Sequence, residues 1–158
     1  MFRILTISLA LLLTGCGFHL QGDLTAPPQM ERTYIAAVER DTQFHRELRR
    51  QLQESGVNLV DSPEEATAIL SITSDQTGQR VLSVSARNVP TEYEVFYTVE
   101  YALVAGETSL LSPQGITFTQ DYTYAETLVL GKAHEEDLLR DAIVRELVRT
   151  VLKQISTL

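Results

Sequence analysis

The chain has 158 residues, of which 44% are hydrophobic, 22% charged and 7% aromatic, an ordinary globular composition for one domain. Its 13 Lys+Arg stand against 21 Asp+Glu, a net charge of −8 that repels phosphate backbones and argues against nucleic acid as a partner. A single cysteine, Cys16, excludes an internal disulfide and a Cys-rich zinc site.

The first sixteen residues carry an address. Arg3 precedes a nearly unbroken apolar run, Ile4 to Leu13, too short for a membrane-spanning helix of roughly 20 residues. The run ends in Leu13-Thr14-Gly15-Cys16, which resembles a bacterial lipobox. That resemblance implies removal of residues 1–15 and lipidation of Cys16, which anchors the chain to a membrane. Cleavage takes away one charge, Arg3, and leaves the rest more acidic still. Gly17, rather than Asp, follows the cysteine, and by similarity to Gram-negative lipoproteins this points to the outer membrane. Residues 16–32 hold Pro27, Pro28 and two glycines without a sustained period, and read as a tether contributing nothing to a core. Residues 33–158 read as a single α+β domain.

Regular patterning starts at Thr33. Tyr34 to Val38 is a short apolar strand, and Asp41 or Thr42 caps a following helix whose Phe44, Leu48 and Leu52 share one face. His45 is placed on that helix's surface. Gly56 ends the helix, and Val57 to Val60 is the next strand, so the unit is a right-handed crossover with parallel strands. Alternation over Ala66 to Thr73 and again over Leu82 to Ala86 predicts two further strands, with Gly78 in a hairpin turn between them. Glu92 to Val104 is the clearest strand. Tyr93, Val95, Tyr97, Val99, Tyr101 and Leu103 form its apolar face, opposite Glu92, Glu94, Thr98 and Glu100. Gly106 turns the chain into a strand over Ile116 to Tyr124. A long helix, about 134–155, closes the chain. Its apolar stripe runs Leu138, Leu139, Ala142, Ile143, Leu147, Val148, Val151, Leu152 and Ile155, with Glu135, Glu136 and Asp137 in its first turn. These elements predict a two-layer α+β sandwich, with two helices packed on one face of a mixed, mostly antiparallel sheet.

No catalytic constellation emerges, and the reading is of a protein that is not an enzyme. His19, His45 and His134 are too scattered for a metal pair, and neither a Gly-rich phosphate loop nor a nucleophile elbow is present. No metal or cofactor is expected. Glu92, Glu94 and Glu100 fall on a solvated strand face. Phe96 and Val104 share that face, and two readings stay open for them: ordinary scattered apolar residues, or contact with a partner protein.

Several segments together resemble one family. Cys16-Gly17-Phe18-His19-Leu20, Ser55-Gly56-Val57-Asn58-Leu59, the run from Arg87-Asn88-Val89-Pro90 to Glu94, and Leu128-Val129-Leu130-Gly131-Lys132 with Glu135-Glu136-Asp137-Leu138 are similar, in order and spacing, to the LptE family of lipopolysaccharide-assembly lipoproteins. The resemblance implies a heterodimer with the outer-membrane barrel LptD. There the lipoprotein is a plug on the periplasmic side within the lumen, helps the barrel fold, and assists lipopolysaccharide insertion into the outer leaflet. It also implies lipopolysaccharide contact through Arg87 and Lys132, each placed in a loop ahead of a regular element, and convergence of the two on one end of the domain. Two other functions remain as alternatives: an outer-membrane lipoprotein acting as a ligand-binding or adaptor module without a barrel, and a periplasmic hydrolase.

Overall fold

A computed structural model describes residues 26–123 and 129–158, the side chains of 129–135 excepted. Five strands, β1 (Arg32–Ala37), β2 (Asn58–Leu59), β3 (Ala68–Val84), β4 (Pro90–Ala105) and β5 (Thr108–Thr123), form one sheet in the order β2-β1-β3-β4-β5. Two helices accompany them, α1 (Gln43–Glu54) and α2 (Val129–Ile155). β1 is parallel to both β2 and β3, while β3, β4 and β5 are antiparallel neighbours. The mixed sheet and the two helices are the α+β architecture expected from the sequence.

The β1-α1-β2 unit follows its local signals. The Thr42 hydroxyl accepts the His45 backbone N–H at 3.1 Å, which satisfies a donor the first helical turn leaves open. Gly56 sits at φ +83°, the left-handed conformation that ends a helix without a Cβ penalty. The core lies between the helices and one sheet face. Phe44, Leu48 and Leu52 of α1 and Ile143, Val144, Leu147, Val148, Val151, Leu152 and Ile155 of α2 meet Leu70, Ile72, Val95, Tyr97, Val99, Tyr101 and Leu103 of the sheet.

Several expectations need correction. β3 is one strand of 17 residues, and Gly78 lies inside it, paired with Phe96 of β4. A Cβ at Gly78 would lie 2.8 Å from the Phe96 ring, so the ring covers the bare backbone across the ladder. Phe96 thereby has a packing role within the sheet. Met30, assigned to the tether, is fully buried, and the Thr33 hydroxyl donates to its carbonyl at 2.8 Å. Residues ahead of β1 therefore do contribute to the core. α2 starts at Val129 rather than near His134, so Glu136 and Asp137 lie beyond its first turn and pair with Arg140 one turn on. Leu138 and Ala142 are exposed and drop out of the apolar stripe, while Val144 joins it. His45 is buried beside Phe44, not on the helix surface.

β1 pairs with β3 only as far as Ile72. Beyond that point β3, β4 and β5 continue as a three-stranded arm. α2 runs along the arm's root. Arg140 donates to the Thr77 hydroxyl at 3.3 Å, and Gln154 accepts the Tyr101 hydroxyl at the other end of the sheet.

Candidate functional site

The arm ends in the β3–β4 hairpin that carries Arg87. Five residues, Ser85 to Val89, separate the strands, and pairing of Ser85 with Val89 leaves Ala86, Arg87 and Asn88 as the loop. The Ser85 N–H donates to the Val89 carbonyl at 2.8 Å, and the Asn88 N–H to the Ser85 carbonyl at 2.9 Å. The Ser85 hydroxyl accepts the Val89 N–H at 3.2 Å. Asn88 takes φ +60°, a left-handed position that asparagine tolerates and that three-residue hairpin loops require. The backbone under Arg87 is thus fixed at three points. Its guanidinium has no hydrogen bond or ion pair among the described residues and is exposed. The nearest cation in the sequence behaves differently: Arg80 is held by Glu94, on the arm's open face.

That pairing revises the expected solvated row of glutamates. Glu94 is buried, and Arg80 supplies its countercharge. Glu92 is exposed and accepts the Ser83 hydroxyl at 2.8 Å. Glu100 is exposed. The three do not converge on a cleft.

Lys132 lies in the first turns of α2, not in a loop as expected; its side chain falls outside the described residues, as do Cys16 and His19. Arg140 fixes the helix at the level of Thr77. Seven strand residues from Thr77 to Val84 span about 23 Å, whereas the eight helical residues back to Lys132 span about 12 Å. Lys132 thus lies about two helical turns before the Arg140–Thr77 contact, while Arg87 lies beyond the far end of β3.

The remaining polar groups read as structure. The Asp75 carboxylate accepts the Tyr97 hydroxyl at 2.6 Å and the Thr42 hydroxyl at 2.5 Å, which ties the start of α1 to the sheet. Burial, then the Asp75 bond and charge, push the Tyr97 pKa well above the usual phenol value, and burial pushes Tyr101 up to about 12. Desolvation lowers the pKa of His45. A solvent-open cleft of about 460 Å³ between α1 and α2 is lined by Arg46, Glu47, Arg50, Asp141 and Arg145. Arg50 clasps Glu47 and Glu54 on its rim and holds the Glu47 carboxyl below its ordinary range. Among the described residues no group of three His, Cys, Asp or Glu is placed to hold a metal ion.

The sequence pointed to Arg87 and missed the apolar side chains around it. Val81, Leu82 and Val84 are 47%, 46% and 52% exposed on the same hairpin. Their signal was a run of apolar residues with no acidic residue beside it, which ordinary strand alternation absorbs.

Comparison with known proteins agrees with this architecture. The LPS-assembly lipoprotein LptE of Yersinia enterocolitica is 28% identical over 94% of this chain and 74% of its own. That of Pectobacterium atrosepticum is 25% identical over 98% of this chain and 84% of its own. Among solved structures, lipoprotein B of Nitrosomonas europaea superposes with a TM-score of 0.74 at 29% identity, covering 89% of this chain and 90% of that one. Rare lipoprotein B of Shewanella oneidensis shares the fold at a TM-score of 0.69 and 21% identity, over 80% of this chain and 94% of that one. The profile of the family described as LptE, lipopolysaccharide-assembly, matches residues 30–155, nearly the whole described domain, and the chain belongs to that family.

Proposed function

We propose that this chain is a non-enzymatic outer-membrane lipoprotein, anchored through lipidated Cys16 after removal of residues 1–15, that plugs the lumen of the LptD barrel from the periplasmic side and helps lipopolysaccharide pass to the outer leaflet. Residues 16–32 link the anchor to the domain, although Met30 already packs into the core. The observation that carries this reading is the family match across residues 30–155. The geometry lends support at Arg87, an exposed guanidinium on a backbone fixed by its own hydrogen bonds. Such a group binds a phosphate without first having to order its loop. Lys132, in the first turns of α2, is the second positive charge that the family resemblance implies. In a chain of net charge −8, phosphate binding has to rest on such a local pair.

The test is a charge-reversed chain, Arg87→Asp with Lys132→Asp. Arg87 is exposed at the hairpin turn, outside the apolar core. The double variant keeps its circular dichroism spectrum and its co-purification with the barrel. Its affinity for lipopolysaccharide falls by about tenfold or more, the scale of a lost charge-assisted contact. Unchanged affinity removes the two residues from the site. Loss of the barrel with affinity intact turns the site into a protein interface. A wild-type lipoprotein that brings no barrel with it from the membrane leaves an adaptor or ligand-binding module instead.

A further inference from the structure

From Val81 to Thr91 the hairpin tip reads Val-Leu-Ser-Val-Ser-Ala-Arg-Asn-Val-Pro-Thr. Arg87 is its one charged residue, in a chain with 21 acidic ones. Three of its aliphatic side chains, Val81, Leu82 and Val84, are about half exposed. The register against β4 breaks between Val81 and Ser83 and again between Ser83 and Val84, so Leu82 sits at a bulge. A bulge bends a strand and increases its twist, which prevents the three side chains from forming one flat sheet face. β1 has left β3 ten residues earlier, at Ile72, so it does not flank this end of the strand.

Exposed strand ends are ordinarily shielded by charge. Within Val81 to Thr91 the only charge is the cation at the turn, with the apolar side chains behind it; Glu92, bonded to the Ser83 hydroxyl, marks the base of the tip. On its own, a patch of three side chains is far too small to seat a protein, which covers roughly 800 Å² per partner. It does match an amphiphile whose anionic head meets Arg87 and whose flexible hydrocarbon chain lies along the strand. We propose that Val81, Leu82 and Val84 form an acyl-chain rest for lipopolysaccharide, with Arg87 on the phosphate where head and tail join. The inference rests on the lipopolysaccharide reading above and adds that the tip recognises the lipid's tail as well as its charge.

The experiment compares binding of two probes to the full-length lipoprotein in detergent: intact lipopolysaccharide, and lipopolysaccharide stripped of its ester-linked acyl chains with its phosphates kept. The wild-type chain prefers the intact form by about tenfold, the scale of partial burial of three aliphatic side chains. The triple variant Val81→Thr, Leu82→Thr, Val84→Thr puts a strand-favouring β-branched residue at all three positions and loses that preference. Arg87→Gln weakens both probes alike and leaves the preference in place. A triple variant that retains the wild-type preference overturns the acyl rest. So does a wild-type chain that binds both forms equally. Phosphatidylglycerol that displaces lipopolysaccharide as well as lipopolysaccharide itself does overturns the assignment to lipopolysaccharide, in favour of anionic lipids generally. If Arg87→Gln changes neither probe while the triple variant loses the preference, the acyl rest stands and the phosphate contact at Arg87 fails.

Discussion

β3 and β4 pass through two different environments within the same pair of strands. At the body end, Tyr97, Val99, Tyr101 and Leu103 are sealed under α1 and α2. At the arm end, the same ladder continues with an identical hydrogen-bonding partner, yet Val81, Leu82 and Val84 stand half in water. Backbone pairing therefore does not distinguish the ends; cover does. The helices supply most of the body's apolar burial. The arm is held by its ladder, by the Tyr93–Tyr122 stack at 5.6 Å, and by the Arg80–Glu94 pair. The division leaves one end with a sealed apolar core and the other held mainly by backbone pairing, the kind of region that opens at lower cost.

The sharpest way to break the comparison is at the body. Leu147 is fully buried on α2. Leu147→Asp places an unpaired carboxylate there and is expected to cost about 4 kcal/mol or more, enough to unfold a marginal domain, as chemical denaturation would show. Arg149 is exposed and, among the described residues, paired only with Glu146 in the same helix. Arg149→Ala is expected to cost under about 0.5 kcal/mol. Equal melting of the two variants would mean that α2 does not cover the sheet as described.

A smaller effect is expected where body and arm join. Asp75 follows the bulge between Ile72 and Ser74 and accepts hydroxyls from both the sheet and the start of α1. Asp75→Ala strands the Tyr97 hydroxyl in a buried site, at a cost of about 2 kcal/mol. Asp75→Asn keeps one acceptor oxygen and is expected to lose less. A shift in the urea midpoint with unchanged slope checks this. If alanine and asparagine cost the same, the carboxylate's hydrogen bonds are not what joins the two ends.

The body was legible in the sequence because its signals are local and mutually consistent. Thr42 and Gly56 bracket α1, and strict alternation from Tyr93 to Leu103 marks the buried face of β4. The arm was not. Between Thr73 and Arg80 the strand is polar and contains Gly78, so nothing in its own residues separates it from a turn. It stays extended because β4 lies beside it and Phe96 covers the glycine, facts of tertiary pairing rather than of local pattern. His45 was misplaced for a related reason. It is buried next to Phe44 at the edge of α1's apolar face, where the sequence gives a polar residue no sign of burial. For the site, Arg87 was found through its family resemblance, whereas the position of Lys132 shifted from loop to helix because the capping signals at Glu135 to Asp137 mimic a helix start.

The finest distinction is whether the arm opens on its own. Arg80 is mostly exposed, while the Glu94 side chain it pairs with is only 12% exposed. Arg80→Gln removes the positive charge and leaves a carboxylate facing a poorly hydrated surface. Because one partner lies in water, screening limits the cost to about 1 kcal/mol. The pair lies at the arm end of the ladder, at the Arg80–Glu94 register position, so the penalty is expected to fall chiefly on the arm. Amide hydrogen exchange reads that difference. Protection is expected to drop several-fold at β3 residues near Arg80 and at their β4 partners Tyr93 to Val95, with protection at Leu70, Tyr101 and Leu103 unchanged. A uniform drop across both ends would show that the arm and the body unfold as one unit. The hairpin that carries Arg87 would then owe its order to the core rather than to its own ladder.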